Sequence, residues 1–336
     1  MKVAIDGFSH PHVGYFLAEL DHRPEQLRLV GAHPHPGDAF VPRDRLGAVP
    51  DFGDVRAMLD ATRPDVLVVC GEYAGRADAV VAALDRGVDV LADKPLVVSG
   101  EGLDQVSRAA EASSALLSVA FEKRWYASTR QARALVASGA IGQVRQIQAT
   151  GPHLLDEGAR PPWYFDGRYG DILTDLPLHD IDLALLFSQA TQGTISGWRL
   201  RRDDGFATAC LVTIDLDGQA SASLDANWLW PGGSQGTGRY QMRITGTEGV
   251  IYLDFARPEV ELVTGSRDAV TERPPAMRPA QEYFDARCSG REPEVGTHAS
   301  LAASRLAVLA ARSASRGTVP QPWHLGSPIG SLKGVD

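Results

Sequence analysis

Lys94, followed by Pro95 at the close of the run Val88-Asp89-Val90-Leu91-Ala92-Asp93, and the later pair Asp175 and His179 supply an ammonium, a carboxylate and an imidazole. Oxidation of a secondary alcohol calls for such a set: a base takes the O–H proton and a nearby cation stabilises the alkoxide while hydride leaves carbon. Pro95 fixes its own φ and biases Lys94 toward an extended conformation. The four-residue spacing of Asp175 and His179 predicts one helical face, with Pro177 in the first turn and Asp175 kept ionised by the helix N-terminus. Asp182, on the same face, is the expected partner that orients the imidazole. The residues alone leave other readings open, namely a solvated lysine, an N-capping aspartate and a satisfied core histidine.

The elements that must position these groups fall into two regimes. Runs at Val3–Ile5, Leu27–Ala32, Val66–Val69, Val88–Leu91 and Ala115–Ala120 alternate with helix-period stretches, including Val13, Phe16, Leu17 and Leu20, and a helix from Arg76 to Arg86 stopped by Gly87. This is the pattern of a doubly wound parallel sheet, an α/β Rossmann domain over residues 1–121. Ligands in such sheets bind outside the carboxyl ends of the strands, so the loops after Ile5, Ala32, Val69, Leu91 and Ala120 should converge. A helix over about Ser128 to Ala137, ended by Ser138-Gly139, leads into runs at Val144–Thr150, Ile195–Arg202, Ala207–Asp215, Gln219–Trp228, Tyr240–Thr245 and Val250–Phe255, with Asp217-Gly218 and Glu248-Gly249 as turn signals. These predict an α+β domain, residues 122–319, with a large, mostly antiparallel open sheet. One face of that sheet packs on helices and the other must be covered, which points to a homodimer or homotetramer. Thr297 caps a last helix through about Ala314, and residues 320–336 read as an extended arm.

Composition narrows the function. The chain has 336 residues, 44 % of them hydrophobic and 22 % charged, with a net charge of −9. No apolar run reaches the roughly 18 residues of a spanning helix, so no membrane association is expected. The negative balance and the absence of a basic cluster argue against nucleic acid. Cys70, Cys210 and Cys288 are too scattered for a metal or redox motif and read as reduced thiols. No secretory signal precedes the first strand, so the expected location is cytoplasmic.

Asp93-Lys94-Pro95, the stretch from Tyr169-Gly170-Asp171 through Asp175, His179 and Asp182, Ser138-Gly139-Ala140-Ile141-Gly142 and Gly246-Thr247-Glu248-Gly249 together resemble the glucose–fructose oxidoreductase, inositol dehydrogenase and rhizopine-catabolism family (Gfo/Idh/MocA). The resemblance spans nearly the whole chain. It implies a Rossmann domain that binds NAD or NADP and an open-sheet domain that completes a pocket for a carbohydrate-like substrate and mediates oligomerisation. Carried onto this chain, Lys94 and His179 handle the proton and Asp175 positions the substrate hydroxyl and the lysine. The implied activity is an NAD(P)-dependent dehydrogenase acting on a secondary alcohol of a sugar, cyclitol or sugar derivative. The alternatives are a redox-neutral glycosidase, lyase or epimerase with tightly held NAD, and a non-catalytic dinucleotide-binding regulator.

The nucleotide half departs from the family pattern. In place of G-x-G-x-x-G the first loop reads Gly7-Phe8-Ser9-His10-Pro11-His12, so only the first glycine remains. His33, in Ala32-His33-Pro34-His35, replaces the acidic residue that holds a ribose hydroxyl. Without that carboxylate, His33, His35, Arg43 or Arg45 are candidates to pair with a 2′-phosphate, which favours NADP over NAD. Cys70-Gly71-Glu72-Tyr73 replaces the usual turn after the third strand. The expected cofactor-binding residues are therefore Gly7, Phe8, Ser9, His10, His12, His33, Cys70, Gly71, Glu72, Asp93, Lys94 and Pro95. The four loop histidines with Glu72 have the types to bind Zn²⁺ or Mn²⁺, but they read better as polar loop residues facing phosphates or solvent, and no metal is expected. Substrate-contact candidates are Arg124, Tyr126, His153, Trp163, Tyr164 and Arg168.

Overall fold

The computed structural model describes residues 1–330 apart from 48, 235, 258, 266–267 and 272–274, and the side chains of Arg43, Arg45 and residues 268–271 also lie outside the description. The chain forms two compact units, the first from residues 1–120, 159–170 and 278–304, the second from 121–158, 171–277 and 305–336. Residues 159–170 and 278–304 thus pack with the first unit, although the sequence reading places them in the second domain.

The first unit holds a parallel sheet of β1 (Lys2–Asp6), β2 (Arg28–His33), β3 (Val66–Val69), β4 (Asp89–Ala92) and β5 (Leu117–Val119), in the order β2-β1-β3-β4-β5. Val66 to Val69 and the apolar residues of β1 and β4 are fully buried, as a strand covered on both faces requires. The strand order reverses between β1 and β3, so the loops after Asp6 and Val69 flank the switch point at which such sheets bind ligands. The first helix, Val13–His22, buries Val13, Phe16 and Leu17 against this sheet core, and Tyr283 and Phe284 join the same cluster. Arg278 grips the fully buried Glu19 of that helix at 2.6 Å. Ser300 and Thr297 accept from the amides of Val119 and Leu117, so the outer edge of β5 is capped and cannot pair further.

Among the described residues the second unit holds nine strands: β6 (Val144–Pro152), β7 (Gln192–Arg201), β8 (Ala207–Leu216), β9 (Ala220–Asn227), β10 (Gln241–Gly246), β11 (Gly249–Asp254), β12 (Val260–Thr264), β13 (Asp268–Thr271) and β14 (Gln321–His324). Their order is β13-β12-β11-β10-β6-β9-β8-β7-β14, antiparallel except for β6 beside β9. The expected turns sit close to their signals. Asp217 and Gly218 both have positive φ, 57° and 65°, as a type I′ hairpin demands, whereas Thr247-Glu248 makes the other turn and Gly249 already belongs to β11. The arm expected over 320–336 begins as an edge strand on β7, and residues 331–336 lie outside the described residues.

The helix Leu178–Ser188 is buried from Leu178 through Phe187. It is not continuous with the segment that carries Asp175. Residues Ile172–Asp175 form a separate short helix capped by the Asp171 carboxylate, which accepts from the Leu173 amide at 3.0 Å. Pro177 is the N-cap of the next helix and not a first-turn residue. Asp175 therefore ends one helical segment instead of opening the helix of His179, and the expected dipole argument for it fails. The proline, whose missing N–H and ring disfavour a continuing helix, is the cause.

On the outward face of the sheet, Trp198 on β7 lies directly across from Leu211 on β8, and both are exposed, as are Leu200 and Tyr252. Among the described residues no helix is long and apolar enough to cross a membrane. Cys70 and Cys210 are buried and Cys288 is exposed, all as free thiols.

Close backbone approaches fix the second unit. A Cβ on Gly197 would stand 2.2 Å from the Ala310 carbonyl oxygen, with no side chain able to yield. Gly197→Ala is expected to lower stability by about 2–3 kcal/mol, read as a lowered thermal midpoint. Gly232→Ala, where an added Cβ meets nothing within 4 Å, should stay within about 0.5 kcal/mol.

Candidate functional site

Within the first unit, the carboxyl ends of β1, β2, β3 and β4 bring the expected cofactor residues together. Gly7 has φ +75° and its missing Cβ would lie 2.1 Å from the Gly71 Cα, so two glycines let the loops after β1 and β3 touch at the switch point. The Gly7 amide donates to the His33 carbonyl and the Cys70 amide to the Asp6 carbonyl, at 2.9 and 2.8 Å. Phe8 is core, with none of its surface exposed. Burial pushes the Cys70 thiol well above its usual range.

Asp93, at the end of β4, organises one half of this edge. Its Oδ2 lies 3.0 Å from His10 Nδ1 and 3.1 Å from the buried Arg76 guanidinium, and its Oδ1 lies 2.8 Å from His12 Nδ1 and accepts from the Lys94 amide at 2.8 Å. Arg76 also donates to the carbonyls of Gly71, Asp93 and Pro95. Burial pushes the Asp93 carboxyl up, but His12, His10 and Arg76 overcome it and hold it well below the ordinary value. Burial, with His12 beside it, pulls His10 down to about 4 despite Asp93. Lys94 is buried, its peptide bond to Pro95 is cis, and its backbone is held by Asp93.

The other half is built on Asp6, the last residue of β1. His33 Nδ1 lies 2.6 Å and His35 Nε2 3.1 Å from Asp6 Oδ1. Asp38 accepts from the Phe8 and His35 amides, both at 2.7 Å, and from the Ser9 hydroxyl. This corrects the basis of the expected NADP preference: His33 and His35 already face one carboxylate, with a second on their loop. The side chains of Arg43 and Arg45 lie outside the described ones. Glu72 is paired with Arg168 at 2.6 Å.

Several substrate candidates in the first unit have other work. Trp163 and Tyr164 are buried and packed around Tyr73 and Tyr169, with ring centroids 4.3–4.9 Å apart for the Tyr73–Trp163 and Tyr164–Tyr169 pairs. Arg168 is exposed and also bound by Asp166 at 2.5 Å.

In the second unit, His179 Nε2 lies 3.0 Å from Glu122 Oε1, Phe121 stands edge-on to the ring, and both ring nitrogens are buried without a well-formed hydrogen bond among the described residues. The expected role of Asp182 is overturned: it accepts two bonds from Arg124, at 2.7 and 2.6 Å. That pair is fully buried, so Arg124 cannot also grip a substrate. Lys123, which the sequence reading missed, meets Asp180 at 2.7 Å and lies over the rings of Phe255 and Tyr240. His153 donates from Nδ1 to the Gly151 carbonyl, 2.7 Å away, and packs against Tyr240 and Trp228, while Tyr126 meets Phe255. Asp175 is buried in the same unit.

Residues 3–121 match the model of the GFO/IDH/MocA oxidoreductase family with an NAD-binding Rossmann fold, and residues 129–252 match the GFO/IDH/MocA C-terminal domain. The chain belongs to the Gfo/Idh/MocA family. Among its curated relatives, scyllo-inositol 2-dehydrogenase (NAD(+)) of Bacillus subtilis is 26 % identical over 57 % of this chain and 56 % of its own length. D-xylose 1-dehydrogenase (NADP(+)) 2 of Haloferax volcanii is 27 % identical over 61 % of this chain and 66 % of its own. The chain thus matches between about half and two thirds of the length of these relatives. Solved structures share the fold: a putative oxidoreductase from Thermotoga maritima has a TM-score of 0.85 at 21 % identity, covering 96 % of this chain and all of that one. A levoglucosan dehydrogenase in complex with NADH and L-sorbose has a TM-score of 0.81 at 17 % identity, covering 97 % and 99 %.

The first unit of this Gfo/Idh/MocA protein meets the backbone requirements of a dinucleotide, since the Gly7–Gly71 contact sits at the switch point of the sheet. The Phe8 amide and the Ser9 hydroxyl, however, are engaged by Asp38, and the Ser9 amide by the Cys70 carbonyl, so these bonds must open before a pyrophosphate can use the donors.

Two outcomes follow from the buried charges. Asp182→Ala, which strands Arg124, is expected to cost about 3–5 kcal/mol of stability in chemical denaturation; a variant of native stability with only lowered turnover would restore the orienting role. His10 titrates near 4 in the folded chain and near 6.5 when unfolded, so between those values the unfolded chain binds the extra proton and stability falls as the pH drops. His10→Asn should remove up to one proton from the pH dependence of unfolding in that window.

Proposed function

We propose that this protein is a dehydrogenase that removes hydride from a secondary alcohol of a sugar, cyclitol or sugar derivative and delivers it to a nicotinamide dinucleotide. The observation that carries the reading is the setting of His179: a buried imidazole 3.0 Å from the Glu122 carboxylate, with neither ring nitrogen committed to a well-formed hydrogen bond among the described residues, which leaves the ring available to take a proton. When bound, the dinucleotide supplies the hydride acceptor. In this reading His179 takes the hydroxyl proton, Lys94 stabilises the developing alkoxide, and Asp175 orients hydroxyl and ammonium. The membership of the chain in an oxidoreductase family and the dehydrogenase names of its relatives support the reaction class.

Gly7, Phe8 and Ser9 would hold the pyrophosphate and His33 the ribose side. NAD is the proposed cofactor, because Asp6 and Asp38 place two carboxylates where a 2′-phosphate would add further negative charge. The exposed Trp198–Leu211 face is the proposed contact between copies, since paired apolar side chains left in water are a surface that association would cover.

The test is turnover followed at 340 nm over a panel of sugars and inositols with each dinucleotide. His179→Ala and Lys94→Ala are expected to lose about 10²–10⁴-fold in kcat, with dinucleotide affinity retained in His179→Ala. Near wild-type turnover in either variant on a reacting substrate would refute the assignment. Asp38→Asn, which weakens the internal competitor and removes its charge, should tighten NAD⁺ binding severalfold in a fluorescence titration.

A further inference from the structure

Among the described residues, two clusters of histidine and aspartate have the composition and spacing to hold a metal ion: Asp6, His33 and His35, and His10, His12 and Asp93, each with its ligand atoms within 4.8 Å of one another. They lie at the carboxyl edge of the same sheet, but their electrostatic settings are opposite. In the second cluster the Asp93 carboxylate is already taken by the Arg76 guanidinium at 3.1 Å, and Lys94 follows it directly in sequence. A divalent ion there would displace a hydrogen bond from a fully buried arginine and sit beside that cation, a costly arrangement at short range in a desolvated site.

The Asp6 cluster has no such occupant. Asp6 is buried and meets two imidazole nitrogens through one oxygen, while its neighbours in the loop are the acidic Asp38 and, on the next loop, Glu72. Arg168 answers the charge of Glu72, and Asp38 is answered by two amides and a hydroxyl. Among the described residues the charge of Asp6 is met by histidines alone. Two features hold the second imidazole in place. The His35 amide is tied to Asp38, and the position beside the ring is a glycine: a Cβ on Gly71 would stand 2.5 Å from His35 Cε1 and 3.0 Å from its Nδ1. The chain thus makes room for His35 to reach Asp6.

We propose that Asp6, His33 and His35 bind one divalent transition-metal ion of the zinc class, through Asp6 Oδ1, His33 Nδ1 and His35 Nε2. Imidazole and carboxylate ligands suit Zn²⁺, Co²⁺ and Ni²⁺ over the harder cations. Tetrahedral ligands at about 2.0–2.1 Å from zinc stand roughly 3.3 Å apart, so the present 2.6 and 3.1 Å separations need only open slightly to admit the ion. Three protein ligands leave at least one position for water or an oxygen of a bound molecule. Asp38 holds the His35 backbone and thereby orients that ligand from behind. This site goes beyond the dehydrogenase reading and does not depend on it.

The test uses the full-length protein, stripped with chelator and titrated with Co²⁺ and then Zn²⁺. Expected are one ion per chain, a visible Co²⁺ absorption band that Zn²⁺ abolishes, and an affinity at least tenfold weaker in His35→Ala and in Gly71→Ala. His12→Ala should bind the ion as the wild type does. His35 is partly exposed on a loop, so circular dichroism of His35→Ala is expected to match the wild type, and Gly71→Ala provides a second variant that leaves all three ligands in the chain. No uptake by the wild type, uptake undiminished in His35→Ala, or uptake abolished by His12→Ala would each overturn the proposal. NAD⁺ binding, measured separately on the stripped protein, reports on the dehydrogenase reading and leaves the outcome for the metal untouched.

Discussion

A carboxylate withdrawn from water must be met by cations or by several hydrogen-bond donors, and the functional ends of both units are arranged around that requirement. Asp93 is answered by Arg76, His10, His12 and the Lys94 amide; Asp182 by Arg124; Asp180 by Lys123; Glu19 by Arg278. These pairings decide which polar side chains are already committed. Arg124 is taken by Asp182. His179 sits 3.0 Å from Glu122 with neither ring nitrogen in a well-formed hydrogen bond among the described residues. The Lys94 backbone is fixed by the same carboxylate that holds the first loop, so the position of the lysine and the shape of the nucleotide edge are set together.

Most strands were legible because their burial patterns are simple. β1, β3, β4 and β5 are short, largely apolar runs covered on both faces, β2 is a half-exposed edge strand, and β6 to β11 alternate cleanly enough for the period of two to show. β12, Val-Glu-Leu-Val-Thr, has the composition of a strand, and the sequence reading passed over it together with β13, whereas β14 contains Pro322 within a tail rich in proline and glycine and nothing in its composition separates it from loop. The strand character of β14 comes from edge pairing on β7, a property of the partner as much as of the segment. The break at Pro177 shows the opposite failure. A four-residue spacing suggested one face of one helix, whereas the proline divides the stretch into two segments and moves Asp175 to the end of the first.

The site was legible residue by residue and illegible pair by pair. The sequence offers lysine, aspartate and histidine at telling positions, yet which acid meets which base is decided by contacts 29 residues apart for Asp6 and His35 and 57 apart for Lys123 and Asp180. Asp182 was the natural partner for His179 by local spacing, and Glu122 took that place because the loop after β5 returns to the helix. One signal was available: an aspartate ends the otherwise apolar β1, and a buried strand-end acid demands a partner. Its partners, His33 and His35, were visible in the sequence, but only the sheet order, with β2 beside β1, brings them to it.

The same accounting explains how the first loop departs from the glycine-rich pattern without losing its fold. The glycine that matters for backbone contact, Gly7, is retained and faces another glycine, Gly71, across the switch point. The position usually given to a third glycine for close packing of helix on strand is His12, whose ring turns to Asp93 and stacks on Tyr15, so a hydrogen-bonded contact at the end of β4 takes up the side chain. The Phe8 amide and the Ser9 hydroxyl are directed to Asp38, and the Ser9 amide to the Cys70 carbonyl. What the loop has exchanged, then, is an open cradle of amides for a polar edge whose donors are already committed, and any anion that binds there must compete with a carboxylate the chain itself supplies. Affinity at this edge is therefore governed by how readily the segment carrying His35 and Asp38 gives up those bonds, and the same segment carries the imidazole that reaches Asp6.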